Sequence, residues 1–312
     1  MLPYWTKSSG IKGVIKSEED FIVKEIIHRK YFAKYVTSGP VRKEKGKYNL
    51  FLLRKKGITT HHALKIISKK FGVSKIGFAG LKDKHAITEQ YITMLNGNDF
   101  KERNIELIKV GTTDKMLSKG DLIGNEFTIT LHDCKTKNLP KIVEEINKKG
   151  VPNYFGPQRF GIRGDNHKIG KHIVKRNFEK ALKMINRQYR KSYKELSQVG
   201  KERLKFFVNA YQSWLFNKML AGYVKKQKYF RGFLPLVGYY TKDAKIIKQI
   251  SITRENFRIN ELKFSVKGGK RKAFIKTSIA YTIIIGNSAK LRFILPAGSY
   301  ASVVLKEVCK YD

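Results

Sequence analysis

The sequence has little cysteine, little acid and no long apolar run. Only Cys134 and Cys309 occur, far apart and in no CxxC pair. That argues against a disulfide framework and against thiolate zinc, and it fits a reducing compartment. Acids number 25 against 65 Lys and Arg, and Glu18, Glu19 and Asp20 form their one cluster, so a two-metal hydrolytic site lacks its converging carboxylates. No stretch approaches the roughly 18 apolar residues of a spanning helix, and the opening MLPYWTKSSG lacks the basic segment and apolar core of a signal peptide. A soluble, cytoplasmic protein without a membrane partner is expected.

Familiar cofactor frameworks are also missing. There is no GxxxxGKS or GxxxxGKT, no GxGxxG after a strand, no GxSxG and no HExxH, which disfavours nucleotide, dinucleotide, esterase-type and zincin chemistry. The seven histidines, such as the pairs His61 with His62 and His167 with His172, stand at no metal spacing with Cys or carboxylate. No metal and no cofactor are expected.

What is abundant is positive charge. The formal net charge is +40, spread along the whole length with no acidic tail to offset it. A compact body with that field repels itself unless a polyanion neutralises it, and folded nucleic acid is the partner that fits. A solvated lysine surface set by growth temperature or genome composition is the plain alternative, and an anionic membrane surface the third.

A length of 312 residues favours two domains. Strand patterns appear at GVIK, DFIVKEII, YNLFLLR, QYITML, NIELIKV and EFTITLH, the last alternating Phe127, Ile129 and Leu131 against polar neighbours. One helix is expected between a cap at Thr59 or Thr60 and a stop at Gly72, and another between Pro140 and Gly150. After Gly161 the texture changes to Lys-rich helices over about 178–186 and 202–226, followed by a basic, strand-like region. The end returns to strand, turn and helix: YTIIIG, LRFILPAGSYA, then Val303, Val304 and Val308. There is no internal repeat, and domain edges are soft.

Four segments carry candidate chemistry. GFAGLKDKHAITEQ (Gly77 to Gln90) sets Asp83 between Lys82 and Lys84 in a Gly-punctuated turn, where cations favour the ionised carboxylate that a nucleophile needs; a solvated KDK turn would look the same. VPNYFGPQRFG (Val151 to Gly161) places Tyr154, Phe155 and Phe160 beside Asn153, Gln158 and Arg159, a mixture suited to stacking on a base and bonding its edges, or to a core loop. NAYQSWLFN (Asn209 to Asn217) reads first as a buried helix face, with Gln212 and Asn217 as candidates to line a cleft. KGGKRKAF (Lys267 to Phe274) is a basic loop that could follow an RNA backbone or be a solvated turn.

IKSEEDFIVKEI (Ile15 to Ile26), GFAGLKDKHAITEQ, NYFGPQRFG, NAYQSWLFN and LPAGSYAS (Leu295 to Ser302) together closely resemble blocks of the TruD family of tRNA pseudouridine synthases, in order, from about residue 11 to about 309. The resemblance implies an α+β fold: a pseudouridine-synthase-like catalytic domain with a mixed, mainly antiparallel sheet, plus an inserted α+β TRUD-specific domain. The catalytic domain would comprise 1–165 and 280–312, and the insertion 166–279.

The resemblance also implies roles. Asp83 matches the catalytic aspartate, Lys16 a lysine that pairs with it, Phe155 the aromatic that stacks on the target uracil, and Asn153 the active-site asparagine. Glu25 falls on an acidic family position with no assignable role, a cross-strand ion pair being the plain reading. Lys82, Lys84, Gln158, Arg159 and Gln212 are weaker substrate-binding candidates. The expected reaction is isomerisation of one tRNA uridine, uridine 13 above others, by a monomer with tRNA and no protein partner. A non-enzymatic RNA-binding protein would explain the charge but not five ordered blocks, and a methyltransferase would need the missing glycine-rich loop.

Overall fold

The computed structural model describes residues 2–28, 46–241, 252–284 and 287–311, with the backbone alone of 35–36 and 39–40. Its centre is one mixed sheet. The main strands are β1 (Phe21–Ile27), β2 (Tyr48–Lys56), β3 (Ile87–Met94), β4 (Ile105–Thr113), β5 (Leu122–Leu131), β6 (Ala280–Ile284) and β7 (Ser288–Pro296). They lie in the order β6-β7-β5-β1-β3-β2-β4, with Phe100–Glu102 beyond β4 and Gly77–Phe78 beside β3. Every neighbouring pair is antiparallel except β1 with β3. This is the α+β class expected. GVIK, however, is no strand: it makes one isolated bridge, Val14 to His132, and Val14 and Ile15 are exposed among the described residues.

The alternation read in β5 is real. Phe127, Ile129 and Leu131 are buried in one core with Leu139, Ile142 and Ile146 of α2 (Leu139–Lys149) and Val304 and Val308 of α6 (Ala301–Cys309). A second core joins Ala63, Leu64 and Ile67 of α1 (Thr60–Phe71) to Phe51, Leu53, Ile92 and Leu107. Thr59 caps α1 by accepting from the His62 amide at 3.2 Å, and Gly72 ends it in the left-handed region.

The segment after Gly161 packs three helices, α3 (Asn166–Val174), α4 (Phe178–Tyr189) and α5 (Lys201–Lys225), around Ile173, Ile185, Phe207, Tyr211 and Leu215. The sequence reading missed α3, partly because Gly170 sits in its middle. That glycine is there for close approach: a Cβ on Gly170 would lie 2.0 Å from the Phe207 carbonyl oxygen of α5. The far half of α5, with Phe216, Leu220 and Val224, joins Trp5, Tyr154 and Phe274 in a separate core, so one helix links the helical segment to the sheet body. The chain rejoins that body where Phe274–Ile275 pairs antiparallel with Val151–Pro152. Among the described residues, no helix is long and apolar enough to cross a membrane.

Candidate active site

Asp83 sits in the connection between Gly77–Phe78 and β3, and four buried side chains from four elements fix its turn. From α1, the Thr60 hydroxyl accepts from the Lys82 amide at 2.9 Å and donates to Gln90 Oε1 at 2.9 Å. From β3, Gln90 Nε2 donates to the Gly80 carbonyl at 3.2 Å. From β1, Glu25 Oε1 accepts from Lys82 Nζ at 2.6 Å while Glu25 Oε2 accepts from the Tyr91 amide. From β2, Lys55 Nζ donates to the carbonyls of Asp83 and Ile58, both at 2.8 Å.

The turn therefore divides its charges. Lys82 points inward, with a side chain 4% exposed against a Glu25 side chain fully enclosed. Asp83 and Lys84 point outward and are exposed. Lys82 is thus neither a solvated lysine nor a free phosphate contact, and Glu25 belongs to a buried pair beneath the turn rather than to a surface ladder. Burial holds the Glu25 carboxyl above the usual carboxylate range despite Lys82 and the Tyr91 amide. Burial likewise pulls Lys55 down to about 8, against the attraction of Asp83 and with repulsion from Lys82 adding to the fall.

Asp83 opens on a cavity of about 280 Å³. Its floor is apolar, from Phe21, Val23, Leu122 and Phe127; its walls carry Leu81, Asn125, Gln158, Ser299 and Tyr300. Leu81 leaves 58% of its surface exposed at this rim. Asn125 Oδ1 is buried there without a hydrogen-bond partner, a cost that a donor on a ligand would relieve.

The wall opposite Asp83 is a clamp between the NYFG and PAGSY segments. Asn153 Oδ1 accepts from Arg271 Nη2 at 2.7 Å and from the Ser299 hydroxyl at 3.0 Å, and Asn153 Nδ2 donates to the Lys272 carbonyl at 3.0 Å. Arg271 also reaches the carbonyls of Asn153 and Gly298, each at 3.0 Å. Asn217 of α5 grips Phe155 at both backbone groups, accepting its amide at 2.8 Å and donating to its carbonyl at 2.9 Å. Gly156 leaves room for the fit, since a Cβ there would meet Gln158 Oε1 and Ser302 Oγ, each at 2.6 Å. The Phe155 ring packs edge-on against Phe216 and tilted against Tyr300, with the Arg271 guanidinium 4.1 Å from its centroid.

The expected residues do not all converge. Lys82, Asp83 and Gln158 share the cavity with Tyr300; Asn153 and Phe155 stand behind Ser299 and Tyr300, outside its lining. Lys16 does not meet Asp83: its ammonium lies 3.0 Å from Asp133 Oδ2, because its backbone is drawn into the Asp20 turn on the side of β5. Gln212 does not line a cleft either; it is buried and donates to the Val237 carbonyl. Arg159 turns onto Ser213 at 3.1 Å and the Phe206 ring. KGGKRKAF is not a loop: Gly269–Lys272 is a strand paired antiparallel with Phe233–Leu236, with Lys267, Lys270 and Lys272 exposed and Arg271 turned inward as the clamp.

Lys55, Arg271 and Asn125 went unnoticed in the sequence. A signal existed for Lys55: Phe51, Leu53 and Lys55 share one face of β2 by period two, so a lysine on a core face demanded a partner. The side-chain partner of Arg271, Asn153, lies 118 residues away, and Asn125 Oδ1 has no partner among the described residues, so nothing local marks either.

The family model for TruD, tRNA pseudouridine synthase D, matches residues 1–202 and 234–308. The tRNA pseudouridine synthase D of Aquifex aeolicus is 31% identical over 358 aligned residues, covering 85% of this chain and 92% of that protein. The Pyrococcus furiosus protein named "Probable tRNA pseudouridine synthase D" is 29% identical over 411, covering 99% and 98%. The crystal structure of the TruD protein from Methanosarcina mazei superposes with a TM-score of 0.75 at 26% identity, covering 99% of this chain and 96% of that one.

Proposed function

Because the chain belongs to the TruD family of tRNA pseudouridine synthases, we propose that it isomerises one uridine of tRNA, uridine 13 above others, to pseudouridine with Asp83 as the nucleophile. The observation that carries this reading is the division of the KDK turn: both Lys82 and Asp83 line the cavity, but the Lys82 ammonium is locked to buried Glu25 while Asp83 is exposed. A turn whose backbone is held from four sides presents its carboxylate from a fixed place, and preorganised groups of that kind lower a barrier.

The reaction breaks the N1–C1′ bond, turns the uracil within the site and joins C5 to C1′. The proton on C5 leaves to solvent and N1 gains one, so atoms and electrons balance without a redox partner. Asp83 can enter by attack on C1′, by attack on C6 or by taking a ribose proton, all of which use the same ionised carboxylate. A cavity of about 280 Å³ is far too small for a duplex, so the uridine must be extruded. Its base would meet the apolar floor and Leu81, with Phe155 as the stacking partner if Arg271 yields its ring face. Lys16, the family's partner for the aspartate, holds Asp133 in this structure and would have to change partners to serve Asp83. The field of a +40 chain supplies RNA affinity, which should fall steeply with salt. The division into a catalytic domain of 1–165 and 280–312 and an insertion of 166–279 belongs to the same proposal.

The target is tested by treating tRNA transcripts with the enzyme and mapping pseudouridine by carbodiimide adduct and primer extension. A stop at uridine 13 supports the proposal, a stop elsewhere moves the target, and none with RNA still bound points to a binding protein.

A further inference from the structure

Lys55 is 1% exposed, yet among the described residues its ammonium meets no carboxylate at bonding distance; its two bonds there go to the carbonyls of Ile58 and Asp83. Taking an ammonium out of water costs several kcal/mol, and an apolar side chain of similar volume would avoid that cost. What lysine adds is a charge and a fixed donor at one place, the turn that carries Asp83. Its strand neighbours Arg54 and Lys56 face outward onto Glu89, Glu106 and Glu19, so of this basic trio only Lys55 serves the interior.

We infer that Lys55 is a positioning residue for Asp83, its ammonium pinning the Asp83 carbonyl to the β2–α1 corner and setting a buried positive charge beneath the carboxylate. The inference rests on the reading of Asp83 as nucleophile. It assigns to Lys55, in the enzyme without RNA, the place that Lys16 leaves open by holding Asp133.

The charged groups around Lys55 are few. Asp83 and Lys82 face it from the turn, Lys82 is offset by Glu25 of β1, and Tyr300 approaches Asp83 from the opposite wall. Glu25 and Lys82 form a closed pair, and burial pulls Lys55 down to about 8.

The test measures single-turnover pseudouridylation of saturating tRNA from neutral to alkaline pH, with tRNA affinity in parallel. The wild-type rate should fall as Lys55 deprotonates, near pH 8. Lys55→Arg keeps the charge and should move that limb upward until ionisation of uridine N3–H takes over. Lys55→Met should lower the neutral-pH rate about a hundredfold, the scale of a misplaced reacting group, with tRNA affinity unchanged because the buried ammonium touches no phosphate. A wild-type rate in Lys55→Met, or a limb unmoved in Lys55→Arg, overturns the inference; if Lys55→Met fails to fold, the Lys55→Arg limb decides. The Asp83 reading fails separately, by turnover in Asp83→Asn, so the two failures are distinguishable.

Discussion

Lys82 Nζ lies 2.6 Å from Glu25 Oε1 with both side chains shut off from water, one residue before an aspartate that faces the cavity. A buried ion pair contributes little net stability, but removing one member strands the other. Glu25→Gln should therefore cost about 3–5 kcal/mol of unfolding free energy in urea, while Glu25→Leu combined with Lys82→Met should cost less. Equal losses in the single and double variants would show that the pair is not what holds the turn.

Acid stability should have a separate source. Burial pushes the Glu145 carboxyl up, but Lys149, the amides of Lys7 and Ser8 and the Ser8 hydroxyl outweigh it and hold Glu145 near 2 instead of 4.5. A carboxylate depressed by folding stabilises the fold above its unfolded value and loses that contribution as pH falls through the folded one. Glu145→Gln should thus lower stability by about 3 kcal/mol at neutral pH, with the gap to wild type closing between pH 4.5 and 2. Denaturant melts at neutral and acid pH check this; a gap that stays constant with pH would contradict it.

Capture of the uracil should depend on Phe155 and on the residue that holds it. Phe155→Ala should weaken binding of the extruded base by about 1–3 kcal/mol. Asn217→Ala leaves the Phe155 amide and carbonyl unpaired, and should lower turnover in the same direction while costing about 1–3 kcal/mol of stability. Single-turnover kinetics at varied tRNA concentration separate the two effects; unchanged kinetics in Phe155→Ala would remove that ring from the site.

Much of the fold was legible because burial left a periodic trace. Phe127, Ile129 and Leu131 alternate and are buried, and Thr59, Gly72, Pro140 and Gly150 mark helix ends by their own backbone chemistry. The helix α3 was not legible, since the meaning of Gly170 lies in its contact with Phe207, a distant partner. GVIK had strand-like residues but makes only one isolated bridge among the described residues. In the site, the family blocks pointed to Asp83, yet period and spacing could not tell that Lys82 turns in, that Lys16 goes to Asp133, or that Lys55 rises under Asp83. These are choices among partners made by the tertiary fold, and a turn of three charged residues has no periodicity from which to read them.

The central claim is tested most directly by tritium release from tRNA transcripts carrying uridine tritiated at C5, with wild-type protein and Asp83→Asn given the same RNA. The account predicts release by the wild type, none by Asp83→Asn, and equal tRNA affinity for both, since the phosphate contacts lie elsewhere. Release by Asp83→Asn at the wild-type rate would contradict it.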